Sequence, residues 1–249
     1  MKVGTRTSVN ADLERFATQY DRNQSFRGVD IATRLNHHST FLTTGMRVVL
    51  TPFTTMGVDG GVGRDDFDLK PSLNTRNYRA GLTFDFSPDA VIRGRAAVGF
   101  HKLDPVSPNA EPDGAQPFTG FTSAIDLGYT LLGGTRINPK LARDVSYSVS
   151  GTSPIFVSTA ASLEVLQELV GPLDLVVHGS REKMAFPETP LAEQARTDYV
   201  EMYGGGLSVR LPNQGRIMFN YDNIRRRSNS GSAFGYERRH LYTSVTYGF

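Results

Sequence analysis

Hydrophobic and polar residues alternate along most of this chain with a period of two, the spacing of an extended strand whose successive side chains point to opposite faces. The pattern is strongest at 92–101. There Ile92, Gly94, Ala96, Val98 and Phe100 lie on one side, and Arg93, Arg95, Ala97, Gly99 and His101 on the other. Two arginines opposite an apolar row cannot both enter a dry core without partners. The same alternation predicts strands over 7–20, 38–50, 55–64, 78–86, 121–131, 137–149, 157–165, 173–178, 202–211, 217–222 and 241–249. The 137–149 stretch is less clean, because Pro139 and Arg143 fall on its apolar side.

Between these segments the connections differ in length. Short turns are predicted at 51–54, 87–89, 132–135, 170–172 and 211–215. Pro52, Pro88, Gly133-Gly134, Gly171-Pro172 and Pro212-Asn213-Gln214-Gly215 supply the turn chemistry there. Longer polar connections fall at 21–37, 64–77, 104–117, 182–197 and around Arg225–Arg227. Short and long connections mostly take turns. About twelve strands of roughly ten to fourteen residues, joined in this way, fit an antiparallel up-and-down transmembrane β-barrel with short periplasmic turns and longer extracellular loops. An even strand number puts both chain ends on the short-turn side. The expected fold is therefore all-β, with residues 1–249 forming one transmembrane barrel domain.

Composition is compatible with that reading. Apolar residues make up 39% of the chain, and mean hydropathy is mildly negative. No run approaches the roughly 18 apolar residues of a transmembrane helix. A spanning barrel needs neither, since only alternate residues face lipid. The 27 basic and 25 acidic residues nearly cancel, which argues against a nucleic-acid partner. With no cysteine, disulfides and thiolate metal sites are excluded. The start, MKVGTRTSVN, lacks the apolar core of a signal peptide, so an exported protein would be represented here in mature or shortened form.

The last strand places Leu241, Thr243, Val245, Tyr247 and Phe249 on one side and Tyr242, Ser244, Thr246 and Gly248 on the other. An edge strand of a soluble sheet would alternate in the same way. Taken with the rest of the chain, however, this end resembles the closing strand of outer-membrane barrels. In those proteins a terminal Phe with aromatics at alternate positions is read by the barrel-assembly machinery. The segments LTPFTT, GRDDFDL, SPDAVIRGRAAVGF, YTLLGGTR, RDVSYSV and YTSVTYGF, spread over nearly the whole chain, resemble the β-barrel porin 2 family of Gram-negative outer-membrane proteins. The resemblance implies outer-membrane location and a porin-like channel. Because some members are encoded near exopolysaccharide export genes, it also implies polysaccharide-export components as partners. Members often carry further strands upstream, and here the chain opens at a turn-like Gly4-Thr5-Arg6, so a C-terminal part of a longer barrel is expected.

Charges are costly on a lipid face, so those opposite the apolar rows should point into the lumen. They are Arg47, Asp59, Arg79, Asp85, Arg93, Arg95, Asp126, Lys140, Glu164, Asp174, Arg210 and Asp222. Two uses stay open for them: lining a water channel, or pairing into a network that fills the interior. Their mixed signs argue against strong ion selectivity. Arg225, Arg226 and Arg227, with Arg238 and Arg239, form a basic extracellular patch. It is either a solvated loop or a contact for lipopolysaccharide phosphates, whose oxygens match the arginine fork.

Other clusters carry less. The glycines of GVDGGVG lack the Lys-Ser/Thr of a phosphate loop and suit close packing. Asp65, Asp66 and Asp68 depart from the EF-hand spacing. His37-His38 has no third ligand nearby in sequence, so no metal site is expected. His101, His178 and His240 reach toward the rim without a nucleophile–base signature, and the chain is expected to be no enzyme and to need no cofactor.

Overall fold

Strand pairing in a computed structural model bears out the all-β reading. The structure describes residues 6–107, 112–131, 134–150, 152–191, 194–211 and 215–247. Twelve long strands run β1 (Thr7–Thr18), β4 (His37–Thr51), β5 (Thr54–Phe67), β6 (Thr75–Phe86), β7 (Ile92–Pro105), β8 (Phe118–Leu131), β9 (Thr135–Tyr147), β10 (Ile155–Glu168), β11 (Leu173–Phe186), β12 (Arg196–Arg210), β13 (Arg216–Ser228) and β14 (Tyr236–Thr246). All pair antiparallel with their neighbours in chain order, giving one up-and-down sheet. Among the described residues β1 stands at one end of this strand order, beside β4, and β14 at the other, beside β13.

The alternation of connections holds through the whole chain. At one end lie the short links 52–53, 87–91, 132–134, 169–172 and 211–215; at the other lie 19–36, 68–74, 106–117, 148–154, 187–195 and 229–235. The turn residues Gly133 and Pro212-Asn213-Gln214 fall outside the described residues, as does Phe249. The first long connection has structure that periodicity does not reveal. A two-residue hairpin, β2 (Ser25–Phe26) with β3 (Val29–Asp30), turns through Arg27 (φ 53) and Gly28 (φ 79). Positive φ at both central residues is the hairpin-turn geometry that glycine and asparagine accept most readily, so Arg27 is held there against its preference. A short helix, α1 (Ile31–Leu35), follows. The Asp30 carboxylate caps it by accepting from the Ala32 amide at 2.9 Å.

Several strands outrun their apolar pattern. Strand β5 continues to Phe67, β11 to Phe186 and β13 to Ser228. The basic segment Arg225–Arg227 is therefore the end of a strand rather than a loop. Backbone pairing does not stop where the outward side chains turn polar, and alternation marks only the apolar part of each strand.

The two faces invert the arrangement of a soluble domain. The outward face carries exposed Leu42, Met46, Val58, Val62, Leu82, Phe100, Leu163, Val177, Leu207, Phe219, Leu241 and Val245. Only eight apolar residues are buried among those described: Ala32, Phe67, Leu73, Leu103, Ile155, Leu166, Val176 and Phe186. Soluble domains bury such side chains preferentially and rarely expose a contiguous band of them. No helix among the described residues is long and apolar enough to cross a membrane.

Candidate functional site

The inner face identifies itself by contacts between strands that are not neighbours. The Tyr147 hydroxyl of β9 donates to Asp65 of β5 at 2.5 Å, and His101 Nδ1 of β7 meets Asp144 Oδ1 of β9 at 2.9 Å. Cross-strand register then places every expected lumen charge on this face. Asp85 lies directly opposite Arg95, Arg95 opposite Asp126, and Asp126 opposite Lys140.

Most of these charges are paired. Across the middle of the face, Asp85 takes Arg47 Nη1 at 2.8 Å and Arg95 Nε at 3.6 Å. The Arg47 stem crosses β5 at Gly57, to which it lies directly opposite in the ladder. Lys140 binds Asp126 at 2.8 Å, and His178 Nε2 lies 2.7 Å from Asp222. Arg79 stands 3.5 Å from Asp144 and over the Phe41 ring at 5.3 Å. Phe41 itself lies flat on β5, where a side chain at Gly61 or Gly63 would collide with its ring. That packing is the use of the GVDGGVG run. Asp59 accepts from Thr83 at 3.1 Å, and Glu164 from Asn138 at 3.0 Å. Arg93 has no ion-pair partner among the described residues and lines a recess with Arg95 and Asp126. A cavity of about 570 Å³ opens along this face beside Asp12, Glu14, Arg47, Asp59, Arg79 and Arg95.

The two ends of the face are denser. At the short-turn end, Asp174 is fully buried between Arg210 at 3.4 Å and Arg216 at 3.3 Å, and Arg210 also reaches Glu168 at 3.4 Å. At the long-loop end, Asp65 accepts from Ser39 at 2.5 Å, Asn77 at 2.8 Å, Thr75 at 3.3 Å and Tyr147. His101 joins that cluster through Asn77 at 2.9 Å. Above it α1 is tied down by Arg34, whose Nη2 meets Asp113 Oδ2 at 2.5 Å while Lys70 holds the same oxygen. Burial alone would raise the Asp113 carboxyl, but these two cations outweigh it and hold the group below the usual carboxylate range.

Aspartates 66 and 68 point the other way, the first pairing Arg64 at 2.7 Å and the second His38 at 3.5 Å. Among the described residues no group of three His, Cys, Asp or Glu side chains could hold a metal. The basic patch divides between faces. Arg226 turns inward and meets Asp198 at 2.6 Å, and Arg238 shares its face. Arg225, Arg227 and Arg239 turn outward, Arg227 pairing with Glu201. On β14 the outward Leu241 and Val245 are 84% and 69% exposed, and Tyr247 beyond the strand is more than half exposed.

No protein-family model matches the chain, and no curated protein does. Among solved structures, the translocator domain of autotransporter NalP from Neisseria meningitidis is 15% identical to it. That match covers 99% of this chain and 89% of that one at a TM-score of 0.35. Likeness at that level carries no weight for function. The strands and their register carry the fold.

Proposed function

We propose that the chain is an outer-membrane barrel that acts as a porin-like channel for passive diffusion of polar solutes. The observation that carries this reading is the inversion of the sheet, apolar residues exposed outside and charges gathered inside. An apolar outward band matches hydrocarbon, and only a strand-built spanning protein meets it with alternate residues. The recess lined by Arg93, Arg95 and Asp126 supplies the polar path. The pairing of acids and bases along that path supports weak charge selectivity. Membership of the β-barrel porin 2 family, with export of polysaccharide through the channel, is the narrower form of this proposal and rests on the sequence resemblance. No enzymatic step is part of it.

The surroundings follow from the same geometry. Outward Arg225, Arg227 and Arg239 stand at the long-loop rim, where lipopolysaccharide phosphates would meet their forks. The outward residues of β14 are offered to the barrel-assembly machinery during biogenesis. A second reading, a non-conducting structural barrel, is favoured by one specific observation. The Asp65 cluster and the docked α1 occupy part of the long-loop end of the inner face.

Conductance of the refolded protein in a planar bilayer separates the two. Stable steps that change in size or selectivity in Arg93→Ala/Arg95→Ala are expected. Silence from protein shown to be folded would leave the structural barrel.

A further inference from the structure

The long-loop end holds a cavity of about 660 Å³ that the channel reading does not use. This volume lies within the range of small-ligand sites. Its roof is the tip of the β2–β3 hairpin, and its floor is the inner face of β10 to β13. The 232–235 segment closes its side. Arg27, in its positive-φ turn, donates to the Ala233 carbonyl and stacks 3.9 Å from the Phe234 ring centroid. On the other side of the pocket, the Arg196 guanidinium lies 3.6 Å from the Phe186 centroid and 4.6 Å from that of Phe234.

The Arg196 guanidinium thus lies over both rings. Its buried Nε has no hydrogen-bond partner among the described residues, and meets the fully buried Asp198 only as a 3.5 Å ion pair. That carboxylate is already taken at 2.6 Å by Arg226. Arg27, Arg196 and Arg226 line this cavity and no acid does, so an excess of positive charge sits among aromatic faces. An arginine lying over aromatic rings presents its N–H edge, the geometry that receives a carboxylate. Phe156, Phe186 and Phe234 offer flat apolar walls, and Ser150 and Thr152 add hydroxyls along one edge.

We propose that this cavity binds a small organic anion, a carboxylate carried on a six-membered ring, with Arg196 and Arg27 receiving the carboxylate and the phenylalanines the ring. The site does not depend on conduction, so a silent channel would leave it standing. The positive φ of Arg27 fits this role, since a strained residue at a hairpin tip persists where its side chain is needed.

Isothermal titration calorimetry on the refolded protein in detergent tests it, with glucuronate and benzoate as probes and glucose as the neutral control. Saturable binding of at least one carboxylate is expected, with none for glucose. A preference for glucuronate would assign the ring to a sugar, and one for benzoate to an aromatic acid. Arg196→Gln should weaken binding by about ten-fold or more, the scale of one charge-assisted contact. Arg27→Gly removes the other cation while suiting the positive φ, so it tests the site should Arg196→Gln fail to fold. Binding of neither carboxylate at millimolar concentration would overturn the proposal. So would unchanged affinity in both variants.

Discussion

Replacing Tyr147 by Phe tests whether the inner face is held together by its polar network. The ring of Tyr147 packs edge-on against Phe67 at 4.9 Å and His37 at 5.5 Å, and a phenylalanine keeps both contacts. Only the hydroxyl is lost, with its bond to the Asp65 carboxylate and its 2.5 Å contact with the Thr75 hydroxyl. A hydrogen bond to a charged group contributes about 1.5–3 kcal/mol net. Asp65 is 9% exposed and keeps three other donors, so its charge is not stranded and the loss should stay near the middle of that range. About 2 kcal/mol corresponds to a roughly thirty-fold shift in the folding equilibrium. Urea unfolding in detergent micelles, followed by circular dichroism and by heat-modifiable gel mobility, reads it directly. The midpoint should fall while the slope is unchanged. A change below about 0.5 kcal/mol, the level of an ordinary surface substitution, would refute the idea that this cluster ties β9 to β5 and β6 across the face.

Two further outcomes follow from other parts of the structure. Gly63→Val would press a branched side chain into the Phe41 ring and should cost about 1–3 kcal/mol in the same unfolding assay, whereas a neutral result would mean that Phe41 does not lie on β5. The Asp113 carboxyl titrates below its unfolded value. Its contribution to docking α1 is therefore present at neutral pH and lost as pH falls through that lowered value. Protection factors of the 31–35 amides, referred to the intrinsic exchange rate at each pH, should fall as the pH is taken down through that lowered value, and much less so in Asp113→Asn; equal pH dependence in both would remove Asp113 from that role.

Much of the fold could be read in the residues, because lipid on one side and water on the other imposes a strict period of two. Ile92 to His101 shows this most plainly: five apolar or small residues alternate with a row that includes two arginines and a histidine, and the structure places the two sets on opposite faces. What the pattern could not give lay outside the apolar band. Strand β13 runs on through Arg225–Arg227 because backbone pairing needs no apolar side chain, so a basic loop was the natural expectation there. The hairpin and helix within 19–36 announce themselves only locally, by Arg27-Gly28 at a tight turn and by Asp30 as a cap. Parity groups the charges on one face, yet it is silent about their partners. That Arg47 reaches across Gly57 to Asp85, or that Arg196 lies over Phe186 and Phe234, depends on sheet curvature and on loops folding back.

The central claim is that a lipid-facing and a water-facing side alternate along each strand, and β7 offers its most direct test. The chain has no cysteine, so single cysteines introduced at Arg93, Arg95 and Ala97, and separately at Ala96, Val98 and Phe100, report without background. Protein in liposomes would be treated with a charged, membrane-impermeant maleimide. Labelling at 93, 95 and 97 is expected, together with protection at 96, 98 and 100 until the bilayer is dissolved and the protein unfolded. Equal labelling at both sets, or protection of the arginine side alone, would contradict the account.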